Sequence, residues 1–216
     1  MESVQRPRGM IFRMTPDQWN EATAHLSKRD RVLRKLIRTY PEAELVRRGD
    51  PFQALARSIV GQQISVKAAT SIWNRFATLA GEVTPANVVA LEAAALRGCG
   101  FSSQKVAYVK DLAGRFASGE VRPKRWSRMD DEAIIEELVA VKGIGRWTVE
   151  MFLIFHLRRP DVLPVDDLGL RRAMERLYNG GEPLTKARMR EIGEPWSPWS
   201  SVATWYLWRS LDPVTF

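Results

Sequence analysis

The sequence predicts an all-α protein of about ten helices. Apolar residues recur at helical spacing through almost the whole chain. No segment alternates apolar and polar residues for long enough to form a sheet, although residues 9–14 could form a short extended piece. Glycines and prolines lie between the helical segments, so the sequence also predicts where the helices are interrupted.

The individual helices follow from amphipathic segments and their end signals. Residues 17–25 and 30–40 are amphipathic, and Pro41 ends the second segment. The next helix is predicted to begin at Asp50, because Pro51 suits a first helical turn. Further helices are predicted at 66–79, 85–96, 104–117, 131–139, 146–157, 168–178, 185–192 and 198–211.

Length and charge limit the class of protein. The chain has 216 residues with 45% hydrophobic content, enough for one large or two small domains. Its 33 Lys+Arg against 25 Asp+Glu give a net charge of +8, which favours a polyanionic partner, although a merely basic protein has the same balance. No apolar run approaches the roughly 20 residues that span a bilayer, and the N-terminus has no apolar signal core. We therefore expect a cytoplasmic protein with no membrane partner, associated with the nucleoid if bacterial.

Cysteine and histidine usage argues against metal and redox cofactors. The single cysteine, Cys99, rules out an internal disulfide and a four-cysteine iron–sulfur cluster. It lies among glycines and is predicted to be a small buried packing residue. His25 and His156 are far apart in sequence and lack zinc-ligand companions. We expect no organic cofactor and no iron–sulfur cluster.

A glycine hairpin between two helices is the first candidate functional motif. Gly143 and Gly145 give the backbone freedom and let another molecule approach, while Ile144 between them is predicted to enter the core. The helix that starts at Arg146 has free N–H groups that, with the helix dipole, bind an anion. Such a connection also occurs in proteins without a ligand. The residues predicted to contact a DNA phosphate are Lys142, Gly143, Gly145, Arg146 and Thr148.

A pair of acids precedes the next helix. Asp is a favoured N-cap, so capping the helix from Leu168 accounts for one member of the pair Asp166–Asp167. The helix N-terminus favours an ionised carboxylate there. Such a group can stabilise the positive charge that develops on a sugar when its base leaves.

Tryptophan is abundant, with eight residues in the chain. Trp19, Trp199 and Trp205 are interpreted as core residues. Trp147, just after the hairpin, and Trp208 are predicted to line a pocket where a flipped, electron-poor base stacks.

Four ordered motifs resemble the helix-hairpin-helix (HhH-GPD) DNA glycosylase superfamily, and within it the 3-methyladenine DNA glycosylase II type. They are the hairpin motif at 138–148, Leu-Pro-Val-Asp-Asp-Leu-Gly-Leu at 163–170, Ser-Ile-Val-Gly-Gln-Gln-Ile-Ser at 58–65 and Glu-Pro-Trp-Ser-Pro-Trp-Ser-Ser at 194–201. The resemblance runs from about residue 50 to residue 211.

The resemblance implies two helical domains with the active cleft between them. Residues 51–159 would form the central domain, which carries the helix-hairpin-helix at about 131–157. Residues 1–50 and 160–216 would together form the second domain.

The resemblance also implies roles for individual residues. The catalytic acid is Asp167, because family spacing places an apolar residue three positions later and Leu170 satisfies this. Asp166 is then a capping or supporting residue. Gln63 occupies the position of the side chain that wedges into the gap left by the flipped nucleotide.

The remaining implied residues line the base pocket and an ion site. Met151 lies where some relatives place a pocket aromatic, so a roomier pocket is expected. The implied base pocket comprises Trp147, Met151 and Trp208, and the carbonyls implied to bind Na⁺ or K⁺ at the hairpin are those of Val139, Val141 and Ile144.

These residues together predict a monofunctional DNA glycosylase that excises alkylated bases such as 3-methyladenine and 7-methylguanine in base excision repair. Trp147 stands where relatives with lyase activity carry a Schiff-base lysine, so no covalent imine is expected. Two alternatives stay open: a glycosylase for neutral lesions such as hypoxanthine or ethenoadenine, and a noncatalytic helix-hairpin-helix DNA-binding protein. The expected partner is damaged double-stranded DNA, bound by a monomer.

Overall fold

The computed structural model describes residues 15–41 and 49–211, and within them the fold is all-helical, as predicted. The extended piece suggested at 9–14 lies outside the described residues. These two ranges contain twelve α-helices: α1 Pro16–Arg29, α2 Arg31–Thr39, α3 Pro51–Gly61, α4 Val66–Ala80, α5 Pro85–Ala90, α6 Ala93–Gly98, α7 Ser103–Ser118, α8 Asp131–Val139, α9 Arg146–Phe152, α10 Leu168–Tyr178, α11 Lys186–Gly193 and α12 Ser200–Arg209. Short 3₁₀ helices at Pro123–Arg128 and Glu194–Trp196 and a π-helix at Leu153–Leu157 complete the list.

Local sequence explains most helix starts. Small polar residues accept a hydrogen bond from the first turn of most helices, which satisfies N–H groups that the helix itself leaves unpaired. Thr15 forms a full capping box with Gln18 at the start of α1. Pro51 and Pro85 occupy the first positions of α3 and α5, where a missing N–H costs nothing.

The described residues divide into two compact units: one spans 49–152, and the other combines 15–41 with 153–211. The second boundary falls at Phe152–Leu153, earlier than the predicted boundary at residue 159. At this point the predicted helix 146–157 changes from α to π, a change that often marks functional segments.

In the first unit, α7 packs against α3, α5 and α6, and α8 packs against α9. An edge-to-face chain of rings runs through its core, in which Phe116 is half-buried and the others are buried. The centroids of Phe52 and Phe116 are 5.3 Å apart, and those of Trp126 and Phe152 are 5.4 Å apart. Cys99 is buried, as expected of a packing residue.

Asp30 joins three helices of the second unit through its carboxylate. As the N-cap of α2, its Oδ1 accepts hydrogen bonds from the N–H groups of Val32 at 2.8 Å and Leu33 at 2.9 Å. Its Oδ2 accepts from the Tyr178 hydroxyl at 2.8 Å and the Trp196 Nε1–H at 2.9 Å. Burial, reinforced by the charge of Asp30, raises the pKa of Tyr178.

The main core cluster of this unit is apolar, although Ser200, Ser201 and Thr204 on α12 are also buried. Trp19 and Trp199 are buried in it and Trp205 packs against it, which confirms their interpretation as packing residues.

One predicted helix is two helices. The segment predicted at 85–96 breaks at Leu91, although no glycine or proline lies there. The Lys110 ammonium donates to the carbonyl of Val89 at 2.6 Å and to that of Leu91 at 2.7 Å. These bonds satisfy acceptors that a helix end leaves open, so a tertiary contact rather than a local signal sets this boundary.

Candidate active site

The carboxylate of Asp167 is buried and held in place. Asp167 is the N-cap of α10 and is 9% exposed. Its Oδ1 accepts hydrogen bonds from the N–H of Leu170 at 2.6 Å and from the indole Nε1–H of Trp208 at 2.8 Å. The two donors converge on one oxygen, so they fix the orientation of the group.

The neighbouring acid has a different environment. Asp166 is exposed and forms an ion pair with Lys186. Of the two roles expected for Asp166, capping is wrong, because Asp167 immediately precedes the first residue of α10 and its own side chain makes the capping bond. The supporting role stays a prediction.

Two further residues position the Trp208 ring. A Cβ at Gly169 would lie 3.1 Å from Asp167 Oδ1 and 3.2 Å from Trp208 Cδ1, so a glycine permits the indole to approach the acid. Phe155 stacks on Trp208 with a centroid distance of 5.5 Å and an interplanar angle of 17°. One face of the indole is therefore covered by Phe155.

The hairpin between α8 and α9 depends on a close approach at Gly143. Gly143 has φ +79°, and a Cβ there would lie 2.1 Å from the Tyr108 ring. Ile144 is buried, as predicted. Gly145 lies in open space and is not in the left-handed region, so it permits approach from outside rather than an unusual backbone conformation.

Helix α7 supports this hairpin from one face. Tyr108 lies under Gly143, and the Asp111 carboxylate accepts the backbone N–H of Lys142 at 2.9 Å. Residues three apart lie on the same side of a helix, so the two contacts reinforce each other. The Lys142 side chain is exposed.

The side chain of Arg146 already has acidic partners. Its guanidinium forms a two-pronged ion pair with Glu132, and its Nε lies 3.2 Å from Glu150. Hydrogen bonding to Glu132 raises the pKa of Arg146, and the same bond lowers the pKa of Glu132. Glu132 links the start of α9 to α8, and Glu150 holds the guanidinium from within α9. Because both acids occupy the side chain, we assign the predicted phosphate contact of Arg146 to its backbone N–H.

The remaining predicted residues of the first unit lie on α9 and on the turn before α4. Trp147 is 48% exposed, and Met151 lies one turn further along α9 on the same side. Gln63 is exposed and has φ +57°, a strained value for a residue other than glycine. The apolar side chains of Ile64 and Val66 beside it are also exposed.

Two of the three hairpin carbonyls predicted to bind a monovalent cation keep acceptor capacity for it. Val139 is the last residue of α8, so the helix provides no N–H for its carbonyl. The carbonyl of Val141 accepts the N–H of Ile144 at 3.1 Å and keeps a second lone pair. Among residues 15–41 and 49–211, no group of three or more His, Cys, Asp or Glu side chains is arranged to hold a metal ion.

The sequence did not predict the residues that position other site residues. Phe155 and Gly169 position the Trp208 ring, and Tyr108 and Asp111 support the hairpin. Helical spacing places Tyr108 and Asp111 on one face of α7, but no local signal indicates that this face meets residues more than thirty positions away.

Within the described ranges, no helix is long and apolar enough to cross a membrane.

The helical fold and the supported hairpin define a helix-hairpin-helix protein. The model for HhH-GPD superfamily base excision DNA repair proteins matches residues 56–198. The DNA-3-methyladenine glycosylase 1 of Schizosaccharomyces pombe is 36% identical over 197 residues, covering 88% of this chain and 86% of the relative. The chain therefore belongs to the HhH-GPD superfamily, which confirms the predicted family.

Solved structures agree. A DNA-3-methyladenine glycosidase from Bacillus halodurans superposes with a TM-score of 0.82 at 35% identity, covering 92% of this chain and 91% of that one. The S. pombe 3-methyladenine DNA glycosylase in complex with abasic DNA superposes with a TM-score of 0.76 at 35% identity, covering 91% of this chain and all of the other.

Proposed function

We propose that this protein is a monofunctional DNA glycosylase that hydrolyses the N-glycosidic bond of alkylated bases and leaves an abasic site. The observation that carries the proposal is the buried Asp167 carboxylate, aligned by Leu170 and Trp208. The related 3-methyladenine glycosylases support the substrate class.

The chemistry requires little more than one oriented carboxylate. A base such as 3-methyladenine or 7-methylguanine carries a positive charge, so it leaves without needing a proton from the enzyme. As the bond breaks, positive charge moves to the sugar, and the carboxylate of Asp167 stabilises it and orients the attacking water. A carboxylate held by two N–H groups does not have to reorganise during the reaction.

The base pocket draws on aromatic and soft side chains. Trp147 and Met151 lie on one side of α9, where a flipped base can contact both. A cationic base gains roughly 0.5–2 kcal/mol from an aromatic face. Trp208 would contribute the ring face opposite Phe155, and its Nε1–H also orients the acid.

Duplex DNA is gripped and opened by the first unit. The backbone around Gly143 and Gly145, with Lys142 and Thr148, binds the phosphate next to the damaged nucleotide. Gln63 enters the gap in the stack, and the exposed Ile64 beside it makes the apolar contact that unstacked bases favour.

A sodium or potassium ion would be held by the carbonyls of Val139, Val141 and Ile144. When bound, the ion would attract the DNA phosphate toward the hairpin. The protein itself supplies the carbonyl geometry by ending α8 at Val139 and burying Ile144. We propose that a monomer acts on damaged double-stranded DNA without an organic cofactor or an iron–sulfur cluster.

No amine is proposed to attack the sugar, since Trp147 occupies the position where the lyase branch of this superfamily carries its lysine. The abasic product is therefore left uncut. Borohydride added during turnover should trap no covalent protein–DNA complex, and the strand should break only after alkali treatment.

Incubation with methylated duplex DNA, followed by mass identification of the freed bases, tests the proposal. We expect release of 3-methyladenine and 7-methylguanine. Release only of hypoxanthine or ethenoadenine from DNA that contains them would indicate a pocket for neutral bases. Binding without any release would indicate a noncatalytic DNA-binding module.

A further inference from the structure

The turn between α3 and α4 holds Gln63 in a conformation that its sequence does not favour. Gln62 has φ −56° and ψ 129°, and Gln63 has φ +57°. The Gln62 angles match the first central position of a type II turn, and the positive φ of Gln63 is that of the second, which normally requires glycine or asparagine. Rotating the peptide between the two residues would give a type I turn, in which Gln63 has an ordinary negative φ.

The Lys105 ammonium opposes that rotation. Its Nζ donates to the carbonyl of Val60 at 2.7 Å and to that of Gln62 at 2.8 Å. The second carbonyl belongs to the peptide that would have to rotate, and rotation would turn its oxygen away from Lys105. Burial lowers the pKa of Lys105, since the ammonium gives up part of its hydration to reach these carbonyls.

The same turn is tied to the DNA-binding hairpin. The Gln62 side-chain amide donates through Nε2 to the carbonyl of Gly143 at 2.8 Å. Lys105 precedes Tyr108 by one helical turn on α7, and Tyr108 supports Gly143 from below. One helix therefore holds both the turn that carries Gln63 and the hairpin expected to hold the phosphate.

We propose that Lys105 is a positioning residue for base flipping: by holding the Gln62 carbonyl, it keeps Gln63 in the left-handed conformation from which it enters the DNA stack. This inference rests on the proposed function, in which Gln63 is the wedge. Lys105 touches neither base nor sugar. Its effect on the reaction passes through the backbone of one turn.

Lys110 offers a matched control on the same helix. Its ammonium also donates to two carbonyls at a helix end, those of Val89 and Leu91. Those carbonyls belong to the break between α5 and α6, which holds no predicted functional residue. Removing either ammonium deletes the same kind of hydrogen bond to main-chain carbonyls. Only Lys105, however, holds the peptide that joins Gln62 to Gln63.

The test compares Lys105→Met with Lys110→Met. Urea unfolding should show similar shifts in midpoint for both. Base release under single-turnover conditions, with enzyme in excess, should slow by about tenfold in Lys105→Met and less than about twofold in Lys110→Met. Affinity for undamaged duplex should change little, since the phosphate contacts remain. Lys105→Arg, which keeps two donors, should recover part of the rate.

A second arm asks whether the effect passes through Gln63. In a Gln63→Ala background, Lys105→Met should slow the reaction much less than it does in the parent, because the side chain it positions is gone. Fluorescence of 2-aminopurine at the target site reports flipping without base release, so it tests Lys105 even if no release occurs. An absence of release from the unmodified protein would then contradict the proposed function alone.

Equal rate losses in Lys105→Met and Lys110→Met, or losses from Lys105→Met and Gln63→Ala that multiply independently, would overturn the inference. If Lys105→Met does not fold, Gln62→Met provides the second variant. It removes the amide that reaches Gly143 while leaving the main-chain carbonyls for Lys105. Unchanged flipping in Gln62→Met would contradict the coupling between turn and hairpin.

Discussion

At the scale of single residues, a hydrogen bond joins Trp208, proposed to bind the base, to Asp167, the proposed catalytic acid. The indole donates to the oxygen that also accepts the capping bond from Leu170. The geometry depends on Gly169, where even one methyl group would crowd both partners. Gly169 therefore determines how closely Trp208 approaches the Asp167 carboxylate, although nothing in the sequence marks this glycine as part of the site.

Trp208→Phe tests the orienting role of the indole. Phenylalanine keeps an aromatic ring but lacks the Nε1–H, so the Asp167 carboxylate loses the positioning bond from the indole. We expect the single-turnover rate of base release to fall by about tenfold to a hundredfold. Trp205→Phe, on the same helix and packed against core rings, is the control and should leave the rate nearly unchanged. Equal rates in both variants would contradict an orienting role.

At the scale of secondary structure, helix ends with local signals were predictable and those set by distant contacts were not. The start of α8 at Asp131 and of α10 at Leu168 agree with the sequence prediction, because Asp130 and Asp167 cap them locally. The break at Leu91 was not foreseen, since it depends on Lys110, some twenty residues away. The hydrogen-bond partners of Gln62, namely Lys105 and Gly143, are still more distant in the sequence.

The candidate site divides in the same way. The hairpin and the pair of acids could be located from glycine spacing and capping chemistry. The capping role of Asp167 and the acidic partners of Arg146 could be recognised only in the structure, because the same residues in sequence permit several side-chain arrangements. Prediction from the sequence therefore located the motifs but not the contacts that support them.

Two glycine variants separate the fold of the hairpin from its binding surface. Gly143→Ala would force a Cβ into the Tyr108 ring and place alanine at φ +79°, so we expect a loss of roughly 1–3 kcal/mol in the free energy of unfolding and weaker DNA binding. Gly145→Ala faces open space and should weaken DNA binding with little change in stability. Urea denaturation and duplex binding isotherms measure both. A Gly143→Ala variant as stable as the parent would contradict the account of the hairpin.

At the scale of the whole molecule, the net charge of +8 acts together with the hairpin. Basic charge attracts any nucleic acid without selecting a lesion, while the proposed catalytic acid and base-binding residues would act only once a base is flipped. We therefore expect the proposed site around Asp167 to provide selectivity for damaged bases. The positive net charge should provide the affinity for undamaged DNA.

Salt titration distinguishes these contributions. If about four phosphates are neutralised, affinity for undamaged duplex should fall roughly a hundredfold between 50 and 200 mM salt. The single-turnover rate at saturating enzyme should change far less, since the bound complex is already formed. Salt-independent binding of undamaged duplex would contradict a charge-driven grip.

Comparing Asp167→Asn with Asp166→Asn tests most directly whether Asp167 is the catalytic acid. Asparagine keeps the oxygen that accepts from Leu170 and Trp208, so Asp167→Asn should change unfolding free energy by less than about 1 kcal/mol and retain duplex binding. It removes the negative charge, so release of 3-methyladenine and 7-methylguanine should fall by at least about a thousandfold. Asp166→Asn, which loses an exposed ion pair and lies outside the proposed catalytic group, should release bases at nearly the parent rate. Full activity in Asp167→Asn, or a collapse only in Asp166→Asn, would contradict the assignment of the catalytic acid.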